Sequence, residues 1–255
     1  MNIHLVSDVK LLHNNPMLSF IRILLVVMTA TLGTSAVYAA DAADRAIIGF
    51  SSDGKYFAFE EYGVQDGSGF PYSNIYIIEL ENDKWVEGAP ITVSLRDENA
   101  TTYAARRQAL TEAAPLLDKY GTVESPKLLA SNAVGEEVPD PHTMIFKRFH
   151  NVSDLWTVKL SHIDLDLPPH CQSLPGVKGL ALTVSVGDKE AREVYRDTRL
   201  PESRGCPENY RLADVIAFGE SETARVVVLV HKLTFGFEGR DARFIAIPVT
   251  LPSWR

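Results

Sequence analysis

Beyond residue 46 the chain is dominated by short apolar runs bounded by turn residues. Ile47-Ile48-Gly49-Phe50 and Lys55-Tyr56-Phe57-Ala58-Phe59 flank Ser51-Ser52-Asp53-Gly54, and Asp-Gly at a tight turn predicts a hairpin with a type I′ connection. Asn74 to Leu80 is the next strand, with Tyr76, Ile78 and Leu80 on one face. Asn82-Asp83 turns it into Lys84-Trp85-Val86, and Ile91 to Leu95 follows. Residues 47–95 therefore read as an antiparallel meander. Further on, Trp156, Val158 and Leu160 alternate with Thr157, Lys159 and Ser161, the pattern of a half-buried strand. Gly179 to Val186, Tyr210 to Phe218 and Phe244 to Val249 are similar. Arg225-Val226-Val227-Val228-Leu229-Val230 is apolar on both faces, which predicts a strand central in its sheet.

One segment carries the helical signature. Between Asp97 and Tyr120 the composition is rich in Ala, Arg, Gln, Leu and Glu, Asp97 and Asn99 are candidate N-caps, and Gly121 suits the residue after the last turn. Tyr103, Leu110, Ala114 and Leu117 form a narrow apolar stripe expected to face the domain, and Pro115 is expected to kink the helix or start a second one. The fold class is mostly β (α+β): an antiparallel sandwich or curved sheet with one helix, about 98–120, packed on it. Phe50-Ser51-Ser52-Asp53-Gly54-Lys55-Tyr56 also resembles one blade repeat of bacterial propeller proteins, which leaves a small propeller as the alternative. The repeat occurs once, and a propeller needs about four.

From Ile23 to Ala40 no residue is charged, the first half is strongly apolar, and Val37-Tyr38-Ala39 supplies a cleavage site, so residues 1–39 are expected to be a signal peptide. A retained anchor is the alternative; the diluted run is short for a span, and Asp41 and Asp44 follow it. Met17 with Arg22 makes a complete signal by itself, so translation is expected to start there, leaving residues 1–16 as an upstream artefact. The remainder, 40–255, is expected to be one β-rich domain in the periplasm or outside the cell, without a membrane span.

Formal net charge is −8, from 33 acidic against 25 basic residues, which argues against a nucleic-acid surface or an anionic membrane as partner. Cys171 and Cys206 are the only cysteines, and in an oxidising compartment they are expected to form a disulfide.

Three stretches are similar to a bacterial family of predicted secreted proteins of unknown function: Phe57 to Tyr72 (FAFEEYGVQDGSGFPY), Pro201 to Pro207 with Tyr210, and Gly236 to Phe244 (GFEGRDARF). The resemblance implies export and a single domain, and brings no catalytic residue with it.

The chain has no G-x-S-x-G, Walker loop, H-E-x-x-H, G-x-G-x-x-G or EF-hand pattern. His162, Asp164, Asp166 and His170 could face a metal, but solvated residues before the Pro168-Pro169 turn explain them better, and no metal or cofactor is expected. Five histidines remain in the exported part, His142, His150, His162, His170 and His231, and the sequons at Asn99 and Asn151 carry no meaning beside a bacterial-type signal. Two groups remain as candidate ligand contacts. Glu60, Glu61 and Tyr62 with Asp66 place carboxylates and a phenol beside a glycine-rich turn, although adjacent Glu60 and Glu61 must point to opposite faces of a strand. Arg204 with Tyr210, and Glu238, Arg240, Asp241 and Arg243, form two charged loops in which the arginines could clamp an anion. The simpler reading pairs those arginines with Glu238 and Asp241. The expected function is a non-catalytic module of the cell envelope that binds a small ligand or an envelope protein; the alternative is an envelope hydrolase using Glu60 or Glu61.

Overall fold

Strand β1 (Asp44–Phe50) and strand β2 (Tyr56–Val64) form the predicted hairpin, followed by β3 (Pro71–Glu79), β4 (Lys84–Trp85) and β5 (Ile91–Ser94). The computed structural model describes residues 41–133, 138–147, 155–219, 224–237 and 239–250. The segment 1–39, His150, the sequon at Asn151 and Glu238 lie outside them. The hairpin turn differs from type I′: Gly54 alone has positive φ, its N–H donates to Ser51 O at 2.8 Å, and Ser51 Oγ accepts from the amides of Lys55 and Tyr56. A serine at the strand end thus does what a left-handed aspartate would have done. The meander also stops at β3, because β4 and β5 both pair with it, each along a different stretch.

Helix α1 (Thr102–Tyr120) follows, and then β6 (Lys127–Ser131), β7 (Thr143–Lys147), β8 (Leu155–Ile163), β9 (Gly179–Val186), β10 (Arg192–Arg196), β11 (Pro207–Phe218), β12 (Arg225–Phe235) and β13 (Arg240–Val249). All strand pairs are antiparallel and fall into three sheets: β1-β2-β3-β4 with β5, β10-β9-β8-β7, and β13-β12-β11-β6. Sheets packed face to face make the predicted sandwich, and the blade-like repeat stands alone.

The double-sided apolar run of β12 has its cause in the stacking. Val226, Val228 and Val230 pack with Trp156, Val158, Leu160, Leu180, Leu182 and Val184 of the second sheet. Val227 and Leu229 pack on the opposite side with Phe50, Phe57 and Phe59 of the first. The third sheet is therefore the middle layer, and β12, between β11 and β13, is its centre. Neighbouring β11 keeps both faces filled across a shift of register between Leu212 and Asp214. Tyr210 and Leu212 before the shift face the same core as Val215 and Ala217 after it, as a bulge that reverses parity requires.

Helix α1 covers the outer face of the first sheet, and here the sequence reading needs correction. The buried stripe is Ala105, Ala109 and Ala113, against Ile75 and Val93, with Leu116 and Leu117 flanking. Tyr103 is 70% exposed and Leu110 40% exposed. Alanines at i, i+4 and i+8 let the helix lie close to the sheet, where larger side chains would hold it off. The N-cap is Thr101, whose hydroxyl accepts from Ala104 N at 3.1 Å; Asp97 and Asn99 shape the turn before it. Pro115 sits on an exposed side and the helix runs through it, ending at Gly121 in the left-handed conformation.

Candidate functional site

Strand parity decides what each carboxylate of Glu60-Glu61 can do. Phe57, Phe59 and Glu61 face the middle sheet, whereas Ala58 and Glu60 face the helix. Glu60 accepts from Arg106 Nε at 3.0 Å, Arg106 Nη2 at 2.8 Å and Ser73 Oγ at 2.9 Å, so it ties α1 to the sheet. Tyr62 donates to Asp44 and lies 3.8 Å from the same guanidinium.

Glu61 lines a cavity of about 290 Å³ between the first sheet, the edge of the third and the turn at 201–204. Its Oε2 accepts from Phe244 N at 2.6 Å, and its Oε1 from Asn74 Nδ2 at 3.2 Å and Tyr76 Oη at 3.4 Å. Burial raises its pKa, against the pull of the Phe244 amide and the Arg243 charge. From β3 the wall receives Asn74, Tyr76 and Ile78, from β4 Trp85, and from the turn between them Asp83, which adopts φ 49°. Burial raises the Asp83 pKa as well, with Arg204 opposing.

Of the three arginines nominated from sequence, Arg204 and Arg243 reach this cavity, but as members of ion pairs. Arg204 donates to Asp197 Oδ1 at 2.6 Å and to Tyr195 Oη at 3.0 Å, with its side chain 8% exposed and that of Asp197 1%. Burial carries the Tyr195 hydroxyl up to about 12. Arg243 holds both carboxylate oxygens and the carbonyl of Asp41, and its guanidinium lies 4.8 Å from the Tyr72 ring. Instead of the expected Asp241, Arg204 takes Asp197, seven positions before it, and Arg243 takes Asp41 from the start of the described chain; Glu238 lies outside the described residues. Arg240 lies off the cavity, exposed and paired with Glu208. Asp241 and Asp66 also lie off it, Asp66 in the β2–β3 turn. Tyr210 is fully buried in the core between second and third sheets, donating to Lys178 O at 3.0 Å.

Lys232 is the residue that sequence reasoning missed. It stands opposite Arg243 on β12, and its ammonium donates to the carbonyl of Arg204 at 3.0 Å. Among the described residues no carboxylate lies within ion-pair distance of it. Burial lowers its pKa, Arg204 and Arg243 lower it further, and Glu61 opposes. A lysine inside a strand apolar on both faces was the available signal.

Its neighbour His231 is a separate matter. The ring packs on Phe244 at 4.0 Å between centroids, and Nε2 has no partner. Burial, helped by the Arg45 charge, lowers its pKa to about 4. The unfolded chain binds this proton near pH 6.5 and the folded protein only near 4. Stability is complete above 6.5 and falls as pH drops through that window, by about 2–3 kcal/mol at pH 4.5. Urea midpoints at pH 7 and 4.5 should differ less in His231→Gln than in the wild type; equal differences would show that His231 does not titrate this way.

The proposed metal ligands do not assemble. Asp164 pairs with Lys178, and His162 accepts from Tyr210 N. Among the described residues the one group of ligand atoms within reach of each other is His170, Cys171 and Cys206, and its two sulfurs are bonded to one another. This disulfide, between positions 35 apart, fastens the segment of Arg204 to the loop around Leu165, Leu167 and Leu174.

A family model described as "Predicted secreted protein (DUF2259)" matches residues 58–250. The chain belongs to that family. The DUF2259 match begins within β2, after β1, and runs through the helix to the end of β13, and so includes every residue that lines the cavity. Neither the curated proteins nor the solved structures contain a match. No helix among the described residues is long and apolar enough to cross a membrane.

Proposed function

We propose that this DUF2259 protein is a non-catalytic binding protein, exported by its N-terminal segment to the periplasm or beyond, that holds a small anionic ligand in the cavity under Lys232. The observation carrying the reading is the state of the three cations there. Arg204 and Arg243 spend their charge on Asp197 and Asp41, while Lys232 keeps donors free of any carboxylate among the described residues. Sinking an ammonium without a carboxylate in contact, with Glu61 acting on it only across the cavity, is unfavourable, and an arriving anion relieves it. Trp85, 44% exposed, and Ile245 give the ligand an apolar wall.

The hydrolase alternative draws support from the raised pKa of Glu61 within a cavity. Against it, both oxygens of Glu61 already accept hydrogen bonds, and Glu60 lies on the far face of the sheet. No second carboxylate of the pair can reach a substrate held by the first.

Lys232→Met keeps the aliphatic bulk and removes the charge, so folding stability should stay within about 1 kcal/mol of the wild type while anion binding is lost. Native mass spectrometry of both proteins, purified in parallel from the exporting cells, checks this. A small acidic adduct on the wild type alone is the expected result; the same adduct on both proteins, or on neither, would remove Lys232 from the site.

A further inference from the structure

β13 is an edge strand, so every second N–H and C=O along it lacks a neighbouring strand. Without a break in the β12–β13 register, alternation fixes the outward positions as 242, 244, 246 and 248. Ala242 is occupied, exchanging bonds with Asp41 O and Ala43 N. The amide of Phe244 is occupied by Glu61. Position 248 is a proline, with no N–H to offer. Of the outward groups that remain, the carbonyl of Phe244 and the N–H of Ala246 belong to residues that line the cavity.

These two groups belong to residues two apart on one edge, the spacing at which an added strand makes successive bonds. Lys232 stands opposite Arg243, at the end of the gap where Glu61 blocks the Phe244 amide. A chain laid antiparallel to β13 would put its last residue opposite Phe244. There its N–H would meet the Phe244 carbonyl, and its own carbonyl group would find the amide opposite already taken. A terminal carboxylate has another use for that end, since Lys232, whose ammonium donates to the Arg204 carbonyl, lines the same cavity as Phe244. Two residues back, a ligand carbonyl would accept from Ala246 N.

Resting on the anion-binding reading above, we infer that the cavity takes the C-terminal end of a short peptide, added to the β13 edge at Phe244–Ala246 with its terminal carboxylate on Lys232. Main-chain bonds supply recognition here without requiring one side-chain sequence, as in other strand additions. The wall opposite offers Asn74, whose Oδ1 is buried and without a hydrogen-bond partner, as an acceptor for a further ligand donor. Two residues of extended chain cover about 7 Å, which suits the end of a peptide rather than its middle.

Calorimetric titration with N-acetyl tripeptide acids ending in Ala, Leu, Phe or Ser, each with its C-terminal amide and its form N-methylated at the last residue, tests this beside benzoate as a simple carboxylate. At least one acid should bind about tenfold more tightly than benzoate, and its amide and N-methyl forms should each lose about tenfold. The N-methyl peptides test the main-chain bond to the Phe244 carbonyl on unaltered protein. Should benzoate bind the wild type but not Lys232→Met, with no peptide acid tighter than benzoate, the peptide inference fails and the anion site stands. Should neither class bind the wild type, both fall.

Discussion

Arg204→Met is expected to lower the free energy of unfolding by about 3–5 kcal/mol, because it strips the counter-ion from a carboxylate that cannot reach water. Asp197, with 1% of its side chain exposed, would keep, among the described residues, the Leu180 amide and the Tyr195 hydroxyl as donors. For a domain of this size that loss corresponds to a melting temperature about 10 °C lower. Arg240→Met is the matched control: it breaks an exposed pair with Glu208 and should change stability by less than about 0.5 kcal/mol. Adding Asp197→Leu to Arg204→Met should restore much of the loss, since an apolar pair needs no counter-ion. Urea unfolding followed by tryptophan fluorescence reads all four proteins. Equal midpoints for Arg204→Met and Arg240→Met would mean that Arg204 is not held in a buried pair.

Reduction of Cys171–Cys206 should cost the fold roughly 4 kcal/mol on the chain-entropy estimate for a loop of this length. The consequence reaches the cavity, because Pro201, Ser203 and Arg204 in its wall are fastened by Cys206 to the loop around Leu165. Binding should therefore weaken under reductant before the protein unfolds. Melting curves with and without reductant, together with thiol titration under denaturation, follow the two effects. Two titratable thiols in freshly exported protein would show that the bond is not native.

The strands were legible because each carries its own local pattern: Arg225–Val230 is apolar on both faces, and it lies between two cores. Parity alone separated Glu60 from Glu61, and the structure sends them to opposite faces of the first sheet. The helix was legible in its existence but not in its orientation. Tyr103 and Leu110 outrank alanine in apolarity, yet close approach to a flat sheet selects small residues, a fact of the partner surface rather than of the helix. Pairing partners were illegible for a similar reason. Arg243 and Asp41 are 202 positions apart, and only the bridge of Ala42 onto the edge of β13 at Ala242 brings them together. The charged segment 236–243 reads as a loop in sequence, yet Arg240, Asp241 and Arg243 lie in β13; Lys232, set within an apolar strand, was the informative charge.

A crystal structure of the wild-type protein soaked with 4-bromobenzoate tests the central claim most directly, since anomalous scattering from bromine locates the ligand without prior assumption. The carboxylate is predicted within hydrogen-bond distance of Lys232 Nζ, with the ring against Trp85 and Ile245. Bromine signal only at exposed arginines such as Arg240, with the cavity empty at saturating ligand, would contradict it.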